Sequence, residues 1–101
     1  DTSWRVRYLA VKALAKLGER LPPEVVTAFN NRAEHDRIWD VRHAAVGALG
    51  KLGDRLPPEA VATLINMAEH DAEETVRKAA VEALAKLGER ASPEAARGIA
   101  K

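Results

Sequence analysis

The chain has 101 residues, the size of one small domain, and its 16 Lys+Arg against 15 Asp+Glu leave a formal charge of +1. That balance argues against a strongly basic nucleic-acid module or an acidic tail, while 47% apolar and 31% charged residues are enough to fold. The absence of Cys removes disulfides, thiolate metal sites and Cys nucleophiles, and no apolar run approaches the ~20 residues that span a bilayer.

The chain repeats itself. Val6-Arg7, Val41-Arg42 and Val76-Arg77 recur every 35 residues, as do Leu17-Gly18, Leu52-Gly53 and Leu87-Gly88. The units are residues 1–35, 36–70 and a shortened 71–101, and the first two agree at 21 of 35 positions. Each unit predicts two helices. Asp1, Asp36 and Asp71 are expected to cap the first helix, whose stripe in the first unit is Val6, Leu9, Ala10, Ala13, Leu14 and Leu17. This stripe is expected to meet the second helix. Gly18, Gly53 and Gly88 follow as left-handed stops. The second helix opens at Pro23-Glu24, Pro58-Glu59 or Pro93-Glu94, with proline at the first helical position and Ser92 as a cap in the third unit. Its expected buried sets are Val26, Phe29 and Ala33, then Val61, Leu64, Ile65 and Ala68, and it ends near His35 or His70. Val11, Val46 and Val81, with Ala15, Gly50 and Ala85, lie off the first-helix stripe and are expected to pack on neighbouring units.

The run Asp71, Val76-Arg77, Ala80, Ala83-Leu84 and Leu87-Gly88, matched in the other two units, resembles HEAT-like repeats of the phycobilisome-lyase type. The 35-residue unit and the Pro-Pro-Glu opening of the second helix depart from that subtype. The resemblance implies an all-α fold, a right-handed α-α superhelix of three two-helix repeats forming one solenoid domain and belonging to a longer array. It also implies that the second helices line a concave surface, which favours that surface as the binding groove. Such folds serve many roles, so the function has to be sought in particular residues.

Enzyme-like signals are weak. Glu34-His35-Asp36 and Glu69-His70-Asp71 contain metal-ligand residue types, and deoxyhypusine hydroxylases hold iron with His-Glu pairs on HEAT-like repeats. Here the order is reversed, and neighbouring units would hold the two His ~8–10 Å apart. The reading adopted is a His at a helix C-terminus followed by an Asp cap. HEAT-like DNA glycosylases use aromatic and acidic residues in a basic groove, and Trp39-Asp40 could be imagined so. The charge by unit, however, runs +2, −1 and 0, with no basic stripe. Ser3 and Ser92 are the only serines, and no glycine-rich phosphate loop exists. No enzyme activity, cofactor or metal is expected, and nucleic acid is not the expected ligand.

Recognition is sought where the repeats disagree. One divergent set runs down the first helix: Trp4, Tyr8, Lys12; Trp39, His43, Gly47; Glu74, Lys78, Glu82, with Arg5 and Arg37 nearby. Trp, Tyr and Arg dominate binding hot spots, but a tryptophan here is read first as filling a gap between repeats and only second as a partner contact. The other set is the outer face of the second helix: Thr27, Asn31, Arg32; Ala62, Asn66, Met67; Arg97, Lys101. Asn30, which replaces Ile65, makes the first groove more polar. Gly47 and Gly50 sit inside a helix at ~1 kcal/mol each relative to Ala. Arg7, Arg42 and Arg77 are expected to pair with backbone or acids between units. The expected function is a cytoplasmic, non-catalytic scaffold that binds a protein partner, with end-to-end self-association as a further expectation. The alternative is a structural or regulatory segment of a larger enzyme or NTPase-type protein with no ligand of its own.

Overall fold

The structure, a computed structural model, describes residues 3–90, without the side chains of Glu89 and Arg90. Asp1 and everything from Ala91 onward, including the expected helix at Pro93, lie outside the described residues. The described residues form five α-helices: α1 (Trp4–Ala15), α2 (Pro23–His35), α3 (Trp39–Gly50), α4 (Pro58–His70) and α5 (Glu74–Arg90). The first helices begin at Trp4, Trp39 and Glu74, and the second helices at Pro23 and Pro58, in step with the sequence period. No strand occurs among the described residues.

Local chemistry explains the helix ends. Gly18 and Gly53 take φ of 55° and 58°, a conformation costly for residues with a Cβ, and each opens a short 3-10 turn. Leu21 and Leu56 then bury themselves and draw the chain back, and Pro23 or Pro58 starts the next helix at its first position. Gly88 breaks the pattern. It has no positive φ and α5 runs through it to Arg90. The sequence gives a reason, because Ala91 stands where the anchoring Leu21 and Leu56 stand in the other units.

The junctions differ from expectation too. Asp36 and Asp71 do not sit next to the first helical residue. They end α2 and α4 and form side-chain turns, each accepting from the backbone N–H two residues on: Ile38 at 3.0 Å and Glu73 at 2.9 Å. This tight junction lays α2 against α3, and α4 against α5. α3 also packs on α1 and α5, so the first helices stack in a row.

The first-helix stripe therefore meets the preceding second helix rather than its own. In the second unit all six stripe positions, Val41, Ala44, Ala45, Ala48 and Leu49 of α3 and Leu52 just beyond it, are buried. In α1, with no described helix before it, Val6, Leu9, Leu14 and Leu17 are exposed. The opposite face behaves as expected. Val11, Ala15 and Val46 are buried toward the next unit, and a Cβ added to Gly50 would lie 3.1 Å from the Ala83 Cβ of α5. Val81, at the far end, is exposed.

The second helices carry a related correction. α2 buries Val26, Phe29 and Ala33 as expected. α4 instead buries Ala60, Thr63, Leu64 and Met67, and leaves Ile65 exposed. Ala60, Thr63 and Met67 form an extra buried face where α4 packs on α2. Their counterparts Val25, Ala28 and Arg32 have no second helix packed on them among the described residues, and are more open.

Candidate protein-binding faces

An Arg–Asp ladder fixes the stack beneath both candidate faces. Arg7 Nε and Nη2 donate to the two carboxylate oxygens of Asp36 at 2.7 and 3.1 Å. Arg42 grips Asp71 in the same two-pronged way at 2.9 and 3.1 Å. Arg42 Nη1 also donates to the Asp36 carbonyl oxygen at 2.9 Å, and Arg77 Nη1 donates to that of Asp71 at 2.6 Å. Arg42 and Arg77 thus tie their own helix starts to their units' opening aspartates, and Arg7 and Arg42 reach the aspartate of the next unit, as expected for these shared arginines. Burial alone would raise the Asp36 carboxyl. The Arg7 hydrogen bonds, the Ile38 N–H and the charges of Arg7 and Arg32 outweigh it and hold the group below the usual carboxylate range.

On the first-helix face, Trp4 and Tyr8 are partly buried and meet edge to face, with ring centroids 6.3 Å apart. Arg5 lies over Trp4 at 5.3 Å and Lys12 over Tyr8 at 5.9 Å, both within cation–π range. Tyr8 also packs on the core. Trp39 occupies the position of Trp4 one unit on and is 40% exposed. Its ring meets His43 edge to face at 6.4 Å. One turn further on, the helix carries Gly47, where no heavy atom lies within 4 Å of an added Cβ. His43, Gly47 and Gly50 line one wall of a groove of about 270 Å³, with Ala79, Glu82 and Lys86 of α5 on the other. Trp39, His43 and Gly47, set four residues apart, thus form one continuous line. The part taken by Lys86 was not anticipated, and the only hint of a groove in the sequence is two glycines in one helix.

On the second-helix face, Thr27, Asn31, Arg32 and Asn66 are exposed. Thr27 Oγ1 turns back to the Pro23 carbonyl oxygen at 3.2 Å, and Arg32 lies 3.6 Å from Asp36. Met67 does not belong to this face, because it is buried against the core at 3% exposure. Asn30 holds a buried Oδ1 with no hydrogen-bond partner.

His35 and His70 end their helices in the open, each 3.6–3.7 Å from the preceding glutamate. Among the described residues no three His, Asp or Glu side chains converge as a metal site, and no helix is long and apolar enough to cross a membrane.

Stacked two-helix units, with their first helices in one row and second helices in another, define an α-solenoid. The comparisons with known proteins agree, since the family described as HEAT repeats matches residues 1–85 and, in an overlapping match, 31–101. The chain belongs to the HEAT-repeat family. HEAT repeats generally serve as protein-interaction scaffolds. Neither the search of curated proteins nor that of solved structures finds a significant match.

Proposed function

We propose that the chain is a non-catalytic scaffold that receives a protein partner on its first-helix face, centred on Trp39. The observation that carries this reading is a large aromatic held open at 40% exposure and braced by His43, in line with a groove whose wall lacks a side chain at Gly47. A rigid surface of this kind loses little ordering entropy on binding, and aromatic anchors beside pockets are the usual hot spots. Glu82 and Lys86 offer opposite charges for orienting the partner. The finer resemblance, to repeats of the phycobilisome-lyase type, rests on the run from Asp71 to Gly88 and names no partner.

The second-helix face is the other reading, favoured by Ile65, an apolar side chain 46% exposed on α4 beside Asn66. Affinity capture with variants separates the two. Trp39→Ala is expected to weaken capture of a specific partner at least ~30-fold, as for a hot-spot residue. Gly47→Leu should also abolish capture by filling the groove, while leaving the melting temperature at or above that of the parent, since Leu is the better helix former. Loss of capture on Asn31→Ala with Asn66→Ala, with Trp39→Ala silent, would move the site to the second helices.

A further inference from the structure

Resting on the first-helix reading above, we infer that the segment received between α3 and α5 is an extended peptide stretch acidic at one end. It sets an apolar side chain over Gly47 and a carboxylate between Lys51 and Lys86.

Charge counted by unit nearly cancels, but the fold sorts it by layer. The second-helix row is net acidic, with Glu24 and Glu34 against Arg32 in α2, and Glu59 and Glu69 in α4. The first-helix row is net basic. Once the pairs made by Arg7, Arg42 and Lys78 are set aside, the exposed Lys12, Lys16, Lys51 and Lys86 outnumber Asp40 and Glu82. In the turns beyond, Glu19 and Asp54 are each followed by an arginine, Arg20 or Arg55.

Two of these lysines stand at the groove of about 270 Å³, Lys51 on the α3 side and Lys86 on the α5 side. Among the described residues neither has a carboxylate within ion-pair distance. The helix dipole accounts for Lys51, the cap of α3. It does not account for Lys86, because α5 runs on to Arg90. Between them Gly47, Gly50, Ala79 and Ala83 keep the groove free of long side chains. Gly47 lies one helical turn from Lys51, ~6 Å along the axis, which an extended chain spans in about two residues. An apolar residue with an acid about two positions away therefore meets both features at once.

The remaining charges favour a peptide over a nucleic acid. Glu82 lines the groove one turn before Lys86, and Asp40 and Glu74 lie in the first turns of α3 and α5. A uniformly charged phosphate backbone would run into these acids, whereas a segment with its charge at one end avoids them.

Selection of random displayed peptides on the whole chain tests this. Recovered peptides are expected to be enriched in Asp or Glu beside an apolar residue and to lose binding on Trp39→Ala. Lys51→Glu with Lys86→Glu, at exposed positions and with the fold checked by circular dichroism, should weaken them about tenfold at low salt and less at high salt. Lys51→Gln with Lys86→Gln should give a smaller loss, and selection repeated on the charge-reversed chain should turn to Lys or Arg. Peptides that need Trp39 but carry no excess of acids overturn the acidic assignment and leave the first-helix reading standing. Peptides indifferent to Trp39→Ala overturn both, and recovery of none overturns the acidic assignment. So does a single-stranded oligonucleotide that binds more tightly than the peptides through the same two lysines.

Discussion

At the scale of single residues, the most exacting chemistry lies at Asp36. Its carboxylate holds two prongs of Arg7 and one backbone N–H, and its side chain is only 1% exposed. The folded-state group titrates below the ordinary value of about 3.9, so the unfolded chain binds the proton more readily. The stabilisation is therefore complete above pH ~4 and is lost as pH falls through the depressed folded value. Asp36→Asn should be less stable than the parent at neutral pH and should lose less stability on acidification below pH ~4. Urea titrations across pH 2–7 would show this as two curves converging at low pH. Curves that stay parallel would mean that the Arg7 pairing contributes nothing specific to Asp36. The pairing of the shared arginines was legible from the 35-residue period, whereas the side-chain turn was not. From sequence alone an Asp just ahead of a helix can be read either as its cap or as the start of a side-chain turn, and only the backbone shows that Asp36 is the latter.

At the scale of helices, equal sequence does not mean equal burial. The apolar stripe was legible in every unit, and α3 buries all of it, but α1 carries the same pattern into solvent. Periodicity reports which face wants cover, and it cannot say whether the covering helix is present. Leu49 and Leu14 are register partners at 0% and 38% exposure. Leu49→Ala should cost ~3 kcal/mol and Leu14→Ala less than half of that, read from chemical denaturation. Equal costs would mean that the head of α1 is covered as fully as α3. Met67 misled for a related reason. It aligns with exposed Arg32, so the difference looked like recognition, but Arg32 lies in the first described unit and Met67 in an interior one. Comparing repeats mixes two causes of divergence, partner contact and position in the stack. Gly88 adds a third, because the residue three positions on, Ala91, stands in the sequence where the other units carry a leucine.

At the scale of the whole molecule, the fold measures 44 × 30 × 17 Å, a slab with two broad faces and an apolar stripe left open on the α1 side of the described residues. The period alone made the solenoid legible, since two-helix units of this composition can bury their stripes only against one another. The candidate site was legible as a list of divergent residues and not as a place. Trp4, Tyr8, Trp39 and His43 were found from their four-residue spacing, but their different burial depends on what packs beside each helix. Trp4 and Tyr8 are partly covered within their own helix, and Trp39 stays open beside the groove between α3 and α5. That openness is the central claim, because a binding face needs an anchor that the fold itself does not consume. The measurement that tests it most directly is tryptophan fluorescence of the Trp4→Phe variant, in which Trp39 is the sole emitter. A red-shifted emission that iodide quenches readily is the expected result. A blue emission shielded from iodide would place Trp39 in the packing between repeats and contradict the assignment of the first-helix face.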